Sequence, residues 1–223
     1  MTASPSKLAA PERARPTSAE RRTQILREAA RCFGTRGFRG TTTRDVAAAV
    51  GITEAALYRH FPSKEAMYAA ILDGRTSAPP IAAALEPFAA ARDDERVFTE
   101  LALAIVASVE ADPSFLRLLL YSALEGHEMA RPFYETRMRR LREFLSSYIA
   151  ERTREGAFRD VDPELAARAF VGMVADHLIA RTVFGQRDPH AHGAERIART
   201  FTEIFLEGVR AQTARERREA SRG

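Results

Sequence analysis

Cysteine is almost missing from this sequence: Cys32 stands alone in 223 residues. No internal disulfide can form, and a reducing, intracellular compartment fits. Cys32 lies among the apolar positions of a helical pattern, where a small buried hydrophobe is the plain reading. Long apolar runs are missing too. The start, MTASPSKLAAPERAR, holds no run of signal-peptide length. The longest apolar stretches, Leu101–Val109 and Phe115–Leu124, are too short to span a bilayer. A cytoplasmic protein with no membrane partner is expected. Gly-rich phosphate loops, metal-ligand spacing and nucleophile motifs do not occur. No cofactor and no metal is implied, and an enzyme is the weaker reading. His127, His177, His190 and His192 are scattered, and a metal site at His190 and His192 needs acids or cysteines from elsewhere.

No strand alternation follows residue 80, whereas helical spacing recurs along the chain. Thr17-x-x-Glu20 matches a capping box and opens a helix with Ile25, Leu26, Ala29, Ala30, Cys32 and Phe33 on its apolar face. Gly37-Phe38 reads as a Schellman ending, with Phe38 packing back on Phe33. Asp112-Pro113 and Asp162-Pro163 each read as an N-cap followed by proline at the first helical position. The count is roughly nine or ten helices and no sheet, an all-α protein. Ser77-Ala78-Pro79-Pro80 marks a boundary between residues 17–76 and 79–212, and residues 1–16 and 213–223 read as disordered tails. Charge divides along the same line. Residues 1–75 hold 13 Lys and Arg against 7 Asp and Glu, whereas the remainder has a slight acidic excess. A basic part joined to a neutral one suits a nucleic-acid-binding domain with a second domain doing something else.

The basic part contains TTTRDVAAAVGITEAALYRHF, residues 41–61. Val46, Ala47 and Val50 share one helical face, and Gly51 follows at once to end that helix. Ile52 is an apolar plug, and Thr53 is an N-cap for a second helix over Glu54–His60. This is the sequence image of a helix-turn-helix over about residues 42–61, whose second helix enters the major groove of DNA. Ser63 caps the helix after it.

From Thr17 to Leu72, about a quarter of the chain, the sequence resembles the DNA-binding domain of the TetR family of transcriptional repressors. Phe33, Gly37 and Phe38, Thr42-Thr43, Ala47, Gly51, Leu57-Tyr58-Arg59-His60-Phe61 and Ser63-Lys64-Glu65 carry the resemblance at unbroken spacing. It implies a three-helix DNA-binding head on a helical body that binds an effector and dimerises. It also implies a homodimer on a near-palindromic, double-stranded operator, released by a small molecule. Carried over residue by residue, Thr42 and Thr43 face phosphates at a helix N-terminus. Arg44 reaches a phosphate or a guanine edge. Thr53, Tyr58, Arg59 and His60 take backbone-contacting and groove-facing positions, and Ala55 and Ala56 lie near thymine methyls. Lys64 takes the place of a phosphate-binding lysine, so its loss should flatten the salt dependence. Glu54 departs from the pattern: it either accepts from a cytosine amine or caps its helix. Tyr58 either faces DNA or packs against the first helix. Arg13, Arg15, Arg21 and Arg22 form either a phosphate-contacting arm or a solvated tail.

In the body, Phe98, Glu110, Arg117, Tyr121, His127, Tyr134, Met138, Met173 and His177 are candidate effector contacts, each with core or surface as its alternative. Phe170, Val174, Leu178, Phe201 and Phe205 are candidate dimer-interface residues, since the resemblance places the last two long helices in a bundle with the partner. Asp176-His177, inside an apolar helix, is core, interface or ligand contact. A helical adaptor that has lost DNA binding is a further reading, against which the intact Thr42–Lys64 set argues.

Overall fold

Ten helices are present in the computed structural model, which describes residues 16–76, 81–126, 128, 130–186 and 192–211. They are α1 (Ser18–Arg36), α2 (Thr43–Val50), α3 (Glu54–Tyr58), α4 (Lys64–Thr76), α5 (Ile81–Ala90), α6 (Asp94–Ala111), α7 (Pro113–Leu124), α8 (Ala130–Arg154), α9 (Pro163–Thr182) and α10 (Ala194–Val209). Among the described residues there is no sheet, only an isolated bridge between Phe158 and Arg210 that ties the end of α10 to the α8–α9 turn. No helix among them is long and apolar enough to cross a membrane. The expected tails and the Ser77–Pro80 boundary fall on, or almost wholly on, residues outside the described ones.

Helix starts follow local chemistry. Thr17 caps α1 in a box with Glu20, the Glu20 amide donating to Thr17 Oγ1 at 3.2 Å and the Thr17 amide to Glu20 Oε2 at 2.7 Å. Asp162 accepts from the Glu164 and Leu165 amides. One ending and one start differ from expectation. Gly37 has φ 73° and ψ 171°, outside the left-handed region of a Schellman turn, though Phe38 does pack on Phe33 with ring centroids 5.4 Å apart. Asp112 makes no capping bond, because its carboxylate takes Arg75 and the Ser114 hydroxyl instead.

Two cores result. One gathers Ile25, Phe33, Phe38, Val46, Val50, Leu57, Phe61, Met67 and Tyr68 from α1–α4, together with Leu118 from α7. The other joins α5, α6, α8, α9 and α10. At its centre the rings of Phe98, Phe170 and Phe205 meet at 4.7–5.2 Å. An ion-paired staple closes its rim: Asp94 accepts from Tyr148 at 2.6 Å and from Arg152 Nε at 2.9 Å. Burial and this carboxylate together push the Tyr148 phenol well above its ordinary range. Helix α7 belongs to both halves. Leu118 enters the first core, while Arg117 donates through Nε to the Thr182 carbonyl at the end of α9, 2.8 Å away.

Candidate nucleic-acid interface

The α2–turn–α3 unit is set by three local devices. Thr42 is the N-cap of α2 in a second capping box, its hydroxyl donating to Asp45 Oδ2 at 2.7 Å and accepting from the Asp45 amide at 3.2 Å. The bonds from the Thr42 hydroxyl and amide, aided by Arg36 at 3.0 Å, hold the Asp45 carboxyl down at about 2. Gly51 takes φ 76° and ψ 36°, a left-handed conformation that a side chain disfavours. Thr53 accepts from the Ala56 amide at 3.1 Å and starts α3. Leu57 is the fully buried anchor of that helix. Helix α3 ends at Tyr58, two residues earlier than the spacing predicts, so Arg59 and His60 sit in the following turn.

Of the expected contact residues in this unit, Thr42, Arg44, Thr53, Ala55, Tyr58 and Arg59 are exposed, and Thr43, Glu54, Ala56 and His60 are half-buried. Glu54 organises the polar members. Its Oε1 accepts from the Thr43 hydroxyl at 2.7 Å, and its Oε2 lies 3.6 Å from Arg44 Nε. Thr43 and Tyr58 oxygens are 3.2 Å apart. Thr43 has one hydroxyl proton, already given to a carboxylate that only accepts, so Tyr58 donates to Thr43. Thus Glu54 does not cap α3, a task Thr53 performs. Tyr58 turns its hydroxyl to this polar cluster and is about half exposed. A phosphate that takes the Thr43 proton must replace Glu54 as its acceptor.

Lys64 is placed differently from the simple phosphate reading. Its ammonium donates to the carbonyls of Phe38 at 2.8 Å and Thr41 at 3.0 Å, and lies 4.2 Å from the centre of the Phe38 ring. Two of its three protons are therefore committed inside the protein. Arg22 is likewise held, donating to the His60 carbonyl at 2.8 Å with its guanidinium 4.0 Å over the Phe61 ring. It supports the end of α3 and is no loose arm. Nothing in the local sequence announces Arg22 in this role, because its partner is 38 residues away.

The body residues scatter. Phe98 is in the aromatic centre of the second core, fully buried, so it faces no ligand space. Arg117 is exposed and occupied by the Thr182 carbonyl, and Glu110 lies 3.6 Å from Arg181. Tyr121 and Tyr134 are exposed; Met138 is half-buried, as is Met173, which packs against the core. His177 is half-buried with its ring edge-on to Phe201 at 5.8 Å. His127 lies outside the described residues. A groove of about 700 Å³ lies elsewhere, between α5 and α6, lined by Ile81, Leu85, Phe88 and Leu103 with Glu100 as its charged group. Phe170, Val174, Leu178 and Phe205 are buried within the protomer's own core and offer no surface to a second copy; Phe201 is only partly covered. Helical spacing identifies an apolar face but not what covers it.

Residues 25–71 match the family described as bacterial regulatory proteins, tetR family, and residues 96–208 match the AefR-like transcriptional repressor, C-terminal domain. The chain is 35% identical over 152 residues to the HTH-type transcriptional repressor KstR2 of Rhodococcus jostii, covering 66% of this chain and 73% of that protein. This chain belongs to the TetR family. As a TetR family member it is a DNA-binding transcriptional regulator of the repressor type. Similarity extends to the nucleoid occlusion factor SlmA of Shewanella frigidimarina, 29% identical over 79% of this chain and 90% of that protein. Among solved structures it resembles the ketosteroid transcriptional regulator KstR2 of Mycobacterium tuberculosis, with TM-score 0.64 and 25% identity over 86% of this chain and 96% of that one.

Proposed function

We propose that this TetR family repressor acts in the cytoplasm as a homodimer on a near-palindromic operator and is released by a small apolar effector. The exposure of Thr42, Arg44, Thr53, Ala55, Tyr58 and Arg59 in the helix-turn-helix carries the DNA-binding part. Arg44 and Arg59 supply groove or phosphate contacts, and Ala55 supplies a methyl for thymine. With five residues in α3, each head reads few bases, so the separation of two heads sets much of the specificity. Pairing falls to the outer faces of α9 and α10, where Leu165, Ala169, Gly172 and Ile204 remain uncovered. Ile204 is 55% exposed and Leu165 61%, and Ala169 and Gly172 allow close helix approach. The α5–α6 groove suits an apolar effector with one polar group for Glu100 to meet. The relation of one similar protein to ketosteroids is in keeping with that chemistry.

The test starts with a random duplex pool selected by the full-length chain. The enriched duplex should contain two inverted half-sites about one helical turn apart, and inserting bases between them should weaken binding more than a single base change within one. Equal binding to altered spacing sinks the two-headed account, as does a monomer mass in light scattering at micromolar concentration.

A further inference from the structure

The α1–α2 loop, residues 37–42, leads directly into the Thr42 cap of α2, and a residue of the body holds it. Glu125 is the first residue beyond α7, its amide bonded to the Tyr121 carbonyl at 2.8 Å. Its Oε2 accepts from the amides of Phe38 at 3.0 Å and Arg39 at 3.3 Å, 87 and 86 residues away in the chain. The carboxylate lies directly against the loop: a Cβ at Gly37 would be 2.2 Å from Glu125 Oε1. The opposite side of the loop is held from α4, where Lys64 takes the Phe38 and Thr41 carbonyls. Within the loop, the Thr41 hydroxyl is 2.8 Å from the Gly37 carbonyl and 3.1 Å from that of Cys32. Loop amides therefore face a carboxylate of the body and loop carbonyls face an ammonium of the head. Charged partners make these stronger than ordinary loop hydrogen bonds. Helix α7, which carries Glu125, is itself tied to the end of α9 by Arg117.

We propose that Glu125 is a positioning residue for DNA binding: from the body, through α7, it fixes the α1–α2 loop and thereby the orientation of Thr42, Thr43 and Arg44. A shift of α7 withdraws the carboxylate and frees the start of α2, so that Thr42, Thr43 and Arg44 lose their fixed orientation. The inference rests on the DNA-binding reading above.

The experiment uses the full-length chain and the duplex enriched by the wild type, with affinity from fluorescence anisotropy and amide exchange at Phe38 and Arg39 from NMR. Glu125→Ala removes both acceptors and should weaken binding about tenfold, with faster exchange at both amides. Glu125→Gln keeps a carbonyl acceptor at the same reach and should stay within about threefold of wild type. Glu125→Asp keeps the charge, is one methylene short, and should behave as the alanine variant. The pair of Gln and Asp decides the matter even where the alanine variant folds poorly. Wild-type-like or tighter binding by Glu125→Asp, or loss by Glu125→Gln with the amides still protected, overturns the positioning role. Failure of the wild type to enrich any duplex overturns the DNA-binding reading instead.

Discussion

Tyr68 of α4 and Ser122 of α7 join the two halves through a buried hydrogen bond, with Tyr68 Oη donating to Ser122 Oγ at 2.8 Å. Burial, the larger effect, pushes the Tyr68 phenol above its ordinary value, so the proton that makes this bond is retained at neutral pH. Tyr68→Phe deletes the hydroxyl and keeps the ring against Phe33 and Phe38, whose centroids lie 5.9 and 5.3 Å away. The change therefore isolates the hydrogen bond from the packing. A neutral hydrogen bond contributes about 0.5–1.5 kcal/mol net, and leaving its partner buried and unsatisfied costs about 1–3 kcal/mol. Ser122 is 1% exposed, so water does not replace the lost donor. Its hydroxyl can still turn toward the carbonyl one turn back in α7, which places the expected loss near the lower end, about 1–2 kcal/mol. Ser122→Ala should cost a similar amount. The double variant leaves neither polar group behind, so its cost should fall short of the sum by about 1 kcal/mol. Urea denaturation at one fixed protein concentration measures all four corners, since the stability of the proposed dimer would depend on protomer concentration. Additivity within about 0.3 kcal/mol would show that this bond does not couple the head to α7.

Three further outcomes are expected of the same fold. Phe170→Ala should destabilise the protomer by about 3–5 kcal/mol, because it opens a cavity between Phe98 and Phe205; a normal melting curve with lost dimerisation would return Phe170 to the interface. Asp45, with a folded pKa of about 2 against an ordinary 3.8, stabilises α2 fully above the ordinary value and loses that contribution as pH falls through about 2. A carboxyl-carbon titration by NMR should place its midpoint near the lower figure, and a midpoint at the ordinary value would remove the capping box. Thr42→Ala should raise that midpoint and cost about 0.5–2 kcal/mol of stability by urea denaturation; an unmoved Asp45 midpoint would mean that Thr42 is not the group holding it.

Contacts between residues near in sequence are legible in the sequence for a physical reason. A capping box spans three residues, and the bonds of Thr17 with Glu20 and of Thr53 with Ala56 are local enough to show in the order of side chains. The αL turn at Gly51 is equally local. Helix α3 ends at Tyr58, two residues short of the expected end, where the His60 amide closes a turn onto the Leu57 carbonyl ahead of Pro62 and Arg22 takes the His60 carbonyl. Asp112 looked like a cap in its own segment, yet Arg75, 37 residues earlier, competes for its carboxylate. Lys64 takes the place of a phosphate-binding lysine in the sequence, yet in the fold its ammonium is held by the loop carbonyls of Phe38 and Thr41.

The order of residues by itself determined the all-helical class, the helix starts and the helix-turn-helix that marks the family, since each depends on contacts within a turn or two of the chain. Only the tertiary structure decided which apolar faces meet. Phe98, Phe170 and Phe205 have the same helical spacing that a pocket or an interface would have, and they meet in one protomer's core because α6, α9 and α10 converge there. The same holds for charge. Glu125 is one acid among 30 in the sequence, and it becomes the partner of Phe38 and Arg39 only when α7 lays its end against the loop before α2.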